Sequence, residues 1–322
     1  MNPESDVAPT ARPSTAVPGA MPPLVQSFYD QLGRSLFAAL RESIVKLAQD
    51  FGALYWKDFE DHLQLLGNAF PSKPWPKWAV DGFVRFNKQI LREEASFKQT
   101  GQYSATPDDF DRIAEEIYDN SDVMEGYYLV GLYSSYFIWP HHYEILSFYR
   151  DAFLRHGTAP ARIAEWGVGH GLFSLLALQQ WPGASSLLCD ISRHSLSFSE
   201  SLIRAAGAWE SCATRLGDVT QSWEEEPVDR LICGEMLEHV PDPVRLLQQV
   251  HRALRPGGQV YLTGAINAPQ SDHVFLFHNA EELLDMVSAQ GFRIGRHVTV
   301  CHPSRRHEQN PPSVLALVAE RP

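Results

Sequence analysis

Residues 163–171, with the sequence Ile-Ala-Glu-Trp-Gly-Val-Gly-His-Gly, constrain the possible folds more than any other part of the chain. The apolar run 162–164 predicts a short strand, the alternating glycines predict a turn, and residues 172–178 predict a helix. A strand, a glycine turn and a helix form a nucleotide-binding crossover, because glycine lets a ligand lie against bare main chain. The spacing is G-x-G-x-G after Glu165, and it differs from the dinucleotide pattern G-x-G-x-x-G because position 172 is leucine.

Two further acidic residues follow predicted strands. Asp190 ends the apolar run 186–190, where an acid at the tip of the second strand can accept hydrogen bonds from both ribose hydroxyls. Alternatively, Asp190 helps to cap the helix that follows it. Asp218 comes after a third strand and directly follows Gly217, and the Gly-Asp pair is also typical of a simple turn.

A fourth predicted strand, residues 228–233, leads into the sequence Glu-x-x-Glu-His at Glu235, Glu238 and His239. These side chains could face a substrate or hold a metal ion, because carboxylates and imidazoles are suitable donors. We interpret Glu238 and His239 as residues that cap and pack the turn, and we predict no metal site. The predicted helix 244–254 then closes on Pro-Gly-Gly, after which a fifth strand begins.

Taken in order, these features resemble the motifs of class I S-adenosylmethionine-dependent methyltransferases over residues 158–322. The resemblance implies an α/β fold with a doubly wound, seven-stranded, mostly parallel sheet that closes on an antiparallel pair, residues 296–302 and 313–320. It also implies that S-adenosylmethionine is the cofactor, with its ammonium beside Glu165 and its adenine amino group at Asp218. The predicted cofactor-binding residues are Glu165, Gly167, Gly169, Gly171, Asp190, Ile191, Gly217, Asp218, Val219 and Glu235.

The rest of the chain divides by composition. Residues 1–22 are rich in Pro, Ala, Ser and Thr and predict a disordered tail. Residues 23–155 predict an all-helical domain, placed before the Rossmann-like domain 156–322, where it either roofs the acceptor pocket as a lid or forms a homodimer contact. Apolar periodicity within it predicts helices over residues 24–50, 56–66, 77–99 and 107–119.

The segment 125–143 holds five tyrosines, a phenylalanine, a tryptophan and two histidines. We interpret it as a wall of the active-site pocket, since aromatic faces attract a sulfonium cation and a dry pocket favours methyl transfer. The alternative is a buried helix whose aromatic residues are only core. Because adjacent histidines point apart on a helix, at most one of His141 and His142 faces the site. The predicted catalytic candidates are Tyr127, Tyr136, His142 and His239.

The net charge of −12 disfavours a nucleic-acid partner, which usually needs a basic face. No apolar run is long enough to span a bilayer, and the N-terminus has no signal-peptide pattern. The four cysteines are scattered without C-x-x-C spacing, which is typical of reduced thiols. These observations predict a cytoplasmic enzyme with no membrane partner.

The predicted function is methyl transfer to a small molecule, in specialised metabolism, by in-line displacement at the sulfonium methyl group. An alternative on the same fold is a cyclase or lyase that consumes the cofactor, releasing methylthioadenosine and forming azetidine-2-carboxylate. Trp166, directly after the acid, favours this alternative if its bulk reshapes the methionine end of the site. A non-catalytic binding protein and an NAD-dependent oxidoreductase are less consistent with the intact acids and the glycine spacing.

Overall fold

The structure is a computed structural model that describes residues 19–221 and 223–322, so residues 1–18 of the predicted tail 1–22 lie outside the described residues. The N-terminal half is helical, as predicted. Within the described ranges, no helix combines the length and the apolar character needed to cross a membrane. The N-terminal helices are α1 (Pro23–Leu32), α2 (Arg41–Phe51), α3 (Ala53–Ala69), α4 (Lys77–Thr100), α5 (Phe110–Ile113), α6 (Ser121–Val123), α7 (Leu129–Ile138) and α8 (Pro140–Phe148).

The prediction of one helix over residues 24–50 is wrong, because α1 ends before Gly33 and an α-helix resumes only at Arg41, after a 3₁₀ turn at Ala38–Leu40. The hydroxyl of Ser35 donates a hydrogen bond to the carbonyl of Leu32 and accepts one from the amide of Phe37. A serine that bonds to nearby main chain offers the backbone an alternative to the helix. Apolar periodicity alone does not register such a break.

The segment between α4 and the sheet contains three π-helical turns, Ala114–Tyr118, Met124–Tyr128 and Tyr149–Leu154. Its first helical turn begins, as predicted, at Thr106 and Pro107, where a capping box with Asp109 satisfies the free amides. Turns of π-helix are rare in proteins, and those that do occur are often found at functional sites. Two of these three turns contribute side chains to the cavity described below.

The C-terminal half is a seven-stranded sheet with the order β3-β2-β1-β4-β5-β7-β6, which confirms the predicted doubly wound, mostly parallel fold. Strand β7 runs antiparallel to β5 and β6, and the other pairs are parallel. The strand order reverses between β1 and β4, and ligands of open α/β sheets bind at that point, beyond the carboxyl ends of the strands. The strands are β1 (Arg162–Trp166), β2 (Ser185–Asp190), β3 (Cys212–Leu216), β4 (Val228–Cys233), β5 (Leu254–Ile266), β6 (Arg293–Cys301) and β7 (Ser313–Glu320).

Helices cover both faces of the sheet and divide its core in two. On one face, Phe173 and Tyr261 pack against Tyr149 of the helical half, so the two halves share a continuous apolar core. On the other face, Leu246 and Val250 pack beneath the sheet in a separate cluster. The helices of this half are α9 (Leu172–Gln180), α10 (Arg193–Ala205), α11 (Pro243–Ala253) and α12 (Ala280–Ala289).

Gly171 ends the glycine turn in the left-handed conformation, with φ 72°, and begins α9. A β-carbon at this position would come within 2.7 Å of Cβ and Oγ of Ser199 on α10. We expect Gly171→Ala to lower the free energy of unfolding by about 2–4 kcal/mol, from left-handed strain plus overpacking. Urea denaturation followed by circular dichroism measures this change.

Gly207 is a matched control because its φ is 71° and a β-carbon there would meet nothing within 4 Å. Gly207→Ala should therefore cost only the conformational part, about 1–2 kcal/mol. If the two variants lost equal amounts of unfolding free energy, α10 would not pack tightly against the glycine turn.

Candidate active site

The loops that follow β1 and β2 are bonded to each other. The amide of Gly169 donates to Oδ2 of Asp190 (3.0 Å), and the amide of Ser192 donates to Oδ1 of the same carboxylate (2.7 Å). The amides of Gly167 and Val168 both donate to the carbonyl of Cys189. Burial raises the pKa of Asp190 to about 6, although the two amide donors oppose that rise. The glycine turn and the tip of β2 therefore form one preorganised surface.

Glu165 lies on β1 with its side chain buried, and its Oε2 accepts a hydrogen bond from the amide of Ser174 in the first turn of α9 (2.9 Å). Burial raises the pKa of this carboxyl to about 8, and the bond from Ser174 opposes the rise. No basic side chain of the described residues forms an ion pair with it. A buried acid without a cationic partner is a suitable receptor for a cationic ligand group.

These elements surround a cavity of about 130 Å³, which we call cavity A, between the carboxyl ends of the strands and the helices of the N-terminal half. Most of the residues predicted from the sequence as site residues meet in its wall. Those that line it are Tyr136, His142, Glu165, Gly167, Gly169, Asp190, Ile191, Gly217, Asp218, Val219, Glu235 and His239.

Two predicted site residues lie elsewhere. The hydroxyl of Tyr127 donates to Oε1 of Gln89, and its ring lies 4.1 Å from the guanidinium of Arg85, outside the wall of cavity A. Gly171 is likewise absent from the wall, and its contact with α10 gives it a packing role. The aromatic segment 125–143 predicts Tyr127 as a site residue, but a helix presents only part of such a segment to one side.

The predicted role of Trp166 is also not supported. Its indole ring is fully buried and packs against Trp223, at 4.9 Å between ring centroids, on the face of the sheet away from the helical half. Trp166 is not part of the wall of cavity A. The bulk that favoured the cyclase alternative therefore does not reach the site.

Asp218 has both carboxylate oxygens engaged within its own turn. Its Oδ1 accepts from the amide and the hydroxyl of Thr220, and its Oδ2 accepts from the side-chain amide of Gln221. Oδ2 accepts only this one hydrogen bond and can accept a second, so the adenine role predicted for Asp218 is compatible with these contacts and stays a prediction.

His142 faces cavity A, whereas His141 does not, as expected for adjacent helical residues. The hydroxyl of Ser135 donates to the carbonyl of Leu132 (2.6 Å), so its oxygen accepts from Nδ1 of His142 (2.8 Å). That arrangement leaves the lone pair of His142 on Nε2. Burial lowers the pKa of His142 to about 3, which keeps the ring neutral, and burial also raises the pKa of Tyr136 beside it.

A second polar network connects Asp272 with residues of the helical half. The hydroxyls of Tyr128 and Tyr118 donate to Oδ2 of Asp272, at 2.6 and 3.3 Å. Nδ1 of His239 lies 3.0 Å from the carbonyl of Asp272, so a hydrogen on Nδ1 leaves the lone pair on Nε2. Tyr118 and Asp272 are not among the site residues predicted from the sequence, and Tyr128 is predicted only as part of the aromatic segment 125–143.

The turn after β4 holds two buried carboxyls close to each other. Glu235 has a positive φ of 48°, and its amide donates to the hydroxyl of Thr263 (2.7 Å). Burial raises the pKa of both Glu235 and Glu238, and the charge of Glu235 raises the pKa of Glu238 further. A non-glycine residue in this backbone region stores strain, which is common at functional sites.

The sequence predicts His239 as a catalytic candidate and predicts no metal at Glu238 and His239. The structure brings a ligand atom of Glu238, of His239 and of His273 within 4.8 Å of one another, which is a set that could hold a metal ion. The three residues meet because the amides of Val274 and Phe275 donate to the carbonyl of Glu238 and fix the loop of His273 beside it. No pattern in the sequence indicates that these distant segments meet.

Residues 164–262 match the family model described as a methyltransferase domain. The ubiquinone biosynthesis O-methyltransferase of Pseudomonas aeruginosa (strain LESB58) is 33% identical over 137 residues, which are 41% of this chain and 56% of that protein. The protein with the same description from Aliivibrio fischeri (strain ATCC 700601 / ES114) is 25% identical over 132 residues, with 41% and 55% covered. The chain thus spans about half the length of the curated relatives it matches.

Among solved structures, mitomycin 7-O-methyltransferase MmcR superposes with a TM-score of 0.54 at 14% identity, covering 77% of this chain and 73% of that one. At this identity the likeness concerns the fold alone. The family match and the strand order together confirm the resemblance that the glycine turn and the acidic strand ends predicted.

Proposed function

We propose that this chain, which carries a class I S-adenosylmethionine-dependent methyltransferase domain, transfers a methyl group from S-adenosylmethionine to a small-molecule acceptor. The observation that carries the proposal is the composition of cavity A. One side is the glycine turn with Glu165 and Asp190, and the other side is the aromatic wall with Tyr136 and His142. The wall comes from the helical half, so we propose that residues 23–155 act as a lid.

The residues present fit this cofactor. A β-carbon at Gly217 would meet nothing within 4 Å, and at Gly169 it would meet only a carbonyl at 3.9 Å, so bare main chain faces the cavity at both positions. Asp190 would accept from the ribose hydroxyls, Glu165 would face the ammonium, and Asp218 would accept from the adenine amino group. Bound S-adenosylmethionine supplies an electrophilic methyl group on a sulfonium centre.

The remaining groups of cavity A position the acceptor and exclude water. The neutral rings of Tyr136 and His142 give a weakly polar surface that does not repel a cation. His239 presents its Nε2 lone pair, and we propose it as the general base for an acceptor hydroxyl, since Asp272 Oδ2 lies 3.6 Å from the other ring nitrogen. A carboxylate behind a histidine orients the ring and stabilises its protonated form.

The decisive experiment incubates the purified protein with S-adenosylmethionine, first alone and then with phenols and catechols, and follows the nucleoside products by mass spectrometry. We expect the cofactor to persist without an acceptor and S-adenosylhomocysteine to form with one. Our reason is that positioning of two reactants dominates methyl transfer, so no turnover occurs without the second reactant. Methylthioadenosine released above the spontaneous background without an acceptor would contradict the proposal.

A further inference from the structure

A second cavity, of about 220 Å³, lies between α4, the start of α8 and the connection from β6 to β7. We call it cavity B. Four residues belong to the walls of both cavities, namely His142, Glu235, Gln270 and His273. Cavity B is therefore contiguous with cavity A, and neither Asp190 nor Asp218 lines cavity B.

Much of the wall of cavity B is apolar. Ile90 and Leu91 of α4 and Val314 of β7 line it, and Trp139 adds an indole ring. The ring of His141 lies parallel to that indole, at 5.5 Å between centroids and 12° between planes. Flat, stacked rings suit a planar ligand better than a branched one.

The positively charged Arg305 in the wall of cavity B already has carboxylate partners within the protein. Nη1 of Arg305 donates to Glu94 (2.9 Å) and its Nη2 donates to Glu308 (2.8 Å), so two carboxylates share this guanidinium. An anionic ligand that approached Arg305 would also meet the negative charges of Glu94 and Glu308. This arrangement disfavours a carboxylated or phosphorylated ligand.

Polar groups without a charge are nevertheless available. Nδ1 of His141 is buried and has no hydrogen-bond partner in the part of the chain that the structure describes. The side-chain amide of Asn87, also buried, donates to the carbonyl of Phe83, which leaves its oxygen able to accept. At the wall shared with cavity A, Oε1 of Glu235 is likewise buried without a partner among the described residues.

We propose that cavity B is the binding compartment of the methyl acceptor, and that it takes an uncharged, planar, largely apolar molecule with a hydrogen-bonding group at its far end. The acceptor's reacting atom lies at the shared wall, and its far end lies near Asn87 and His141. The role as acceptor site rests on the proposed function, whereas the binding of such a molecule does not.

The test uses 2-naphthol as the uncharged probe and 2-naphthoate as the anionic probe of the same shape. Binding of each to the full chain saturated with S-adenosylhomocysteine is measured by isothermal titration calorimetry. We expect 2-naphthol to bind more tightly than 2-naphthoate. Ala268 lines cavity B but not cavity A, so Ala268→Leu should weaken 2-naphthol binding about tenfold or more by filling the space.

Ala289 supplies the matched control, because Ala289→Leu adds the same bulk at an exposed position outside both cavities. Ile90→Phe, on the opposite wall, repeats the test if Ala268→Leu does not fold. Both cavity variants should change the affinity for S-adenosylhomocysteine by less than about twofold. Tighter binding of 2-naphthoate, or 2-naphthol affinity unchanged in the cavity variants, would overturn the proposal.

The two proposals fail in different ways. Binding of 2-naphthol that depends on Ala268, together with no methyl transfer to any acceptor, would leave cavity B as a binding site and reject the methyltransferase function. Methyl transfer that proceeds equally well in Ala268→Leu, with 2-naphthol affinity unchanged, would reject cavity B and leave the function in place.

Discussion

Replacing Asp190 by alanine is expected to weaken the binding of S-adenosylmethionine by a factor of about 100 or more while the sheet remains folded. In the proposed site the carboxylate accepts from two ribose hydroxyls, and hydrogen bonds to a charged group are worth about 1.5–3 kcal/mol each. The same oxygens hold the amides of Gly169 and Ser192, so the glycine turn loses support as well. Calorimetric titration with S-adenosylmethionine gives the affinity, and far-ultraviolet circular dichroism reports on the fold.

Ser192→Ala is the control, because Ser192 caps α10 and its hydroxyl donates to the carbonyl of Tyr118, yet the variant retains the Asp190 carboxylate. It should cost about 1 kcal/mol of stability and leave the cofactor affinity within a few fold. If Asp190→Ala bound the cofactor as tightly as the unchanged protein, the ribose would have been assigned to the wrong residue.

The part of the site that could be predicted is the part encoded locally. Strand β1, the glycine turn and the start of α9 are contiguous, and Asp190 ends the next strand along the chain. Parallel strands bring their carboxyl ends to one edge, so a correct strand assignment also places the acids together. The fold class could be predicted for the same reason, because it also follows from the assignment of strands and helices along the chain.

The part that could not be predicted depends on contacts between distant segments. His273 reaches the site because two amides beyond it bind the carbonyl of Glu238, and nothing in the sequence near His273 indicates that pairing. Tyr118 and Tyr128 lie in π-helical turns, which change the direction of a side chain relative to ideal α-helical spacing. The homodimer predicted for the helical half, and the division at residues 23–155, stay predictions.

Glu165→Gln is expected to have opposite effects on stability and on cofactor binding. The folded-state pKa of about 8 lies above the ordinary range of a glutamate, so the ionised form is disfavoured by folding. For a raised pKa, the contribution to stability is complete below the unfolded-state value and is lost as the pH rises through the folded-state value. The ligand-free protein therefore loses stability between about pH 4.5 and pH 8, and glutamine, which cannot ionise, avoids that loss.

At pH 8 the ligand-free variant should be more stable than the unchanged protein by about 2–4 kcal/mol, and at pH 4.5 the two should be equal within about 0.5 kcal/mol. Glutamine can still accept from the amide of Ser174, so the local hydrogen bond is preserved. Urea denaturation at the two pH values measures the difference. Glu210→Gln, at an exposed position, controls for the loss of one negative charge and should show no such dependence.

Cofactor affinity should move in the other direction, because the variant has no carboxylate to meet the ammonium group. We expect binding of S-adenosylmethionine to weaken by about 10–100-fold at pH 8. In the unchanged protein, binding near pH 7 should release a proton from Glu165, which titrations in buffers of different ionisation enthalpy detect. A variant that is less stable at pH 8 and binds the cofactor normally would mean that Glu165 is a structural acid whose charge is balanced in the fold.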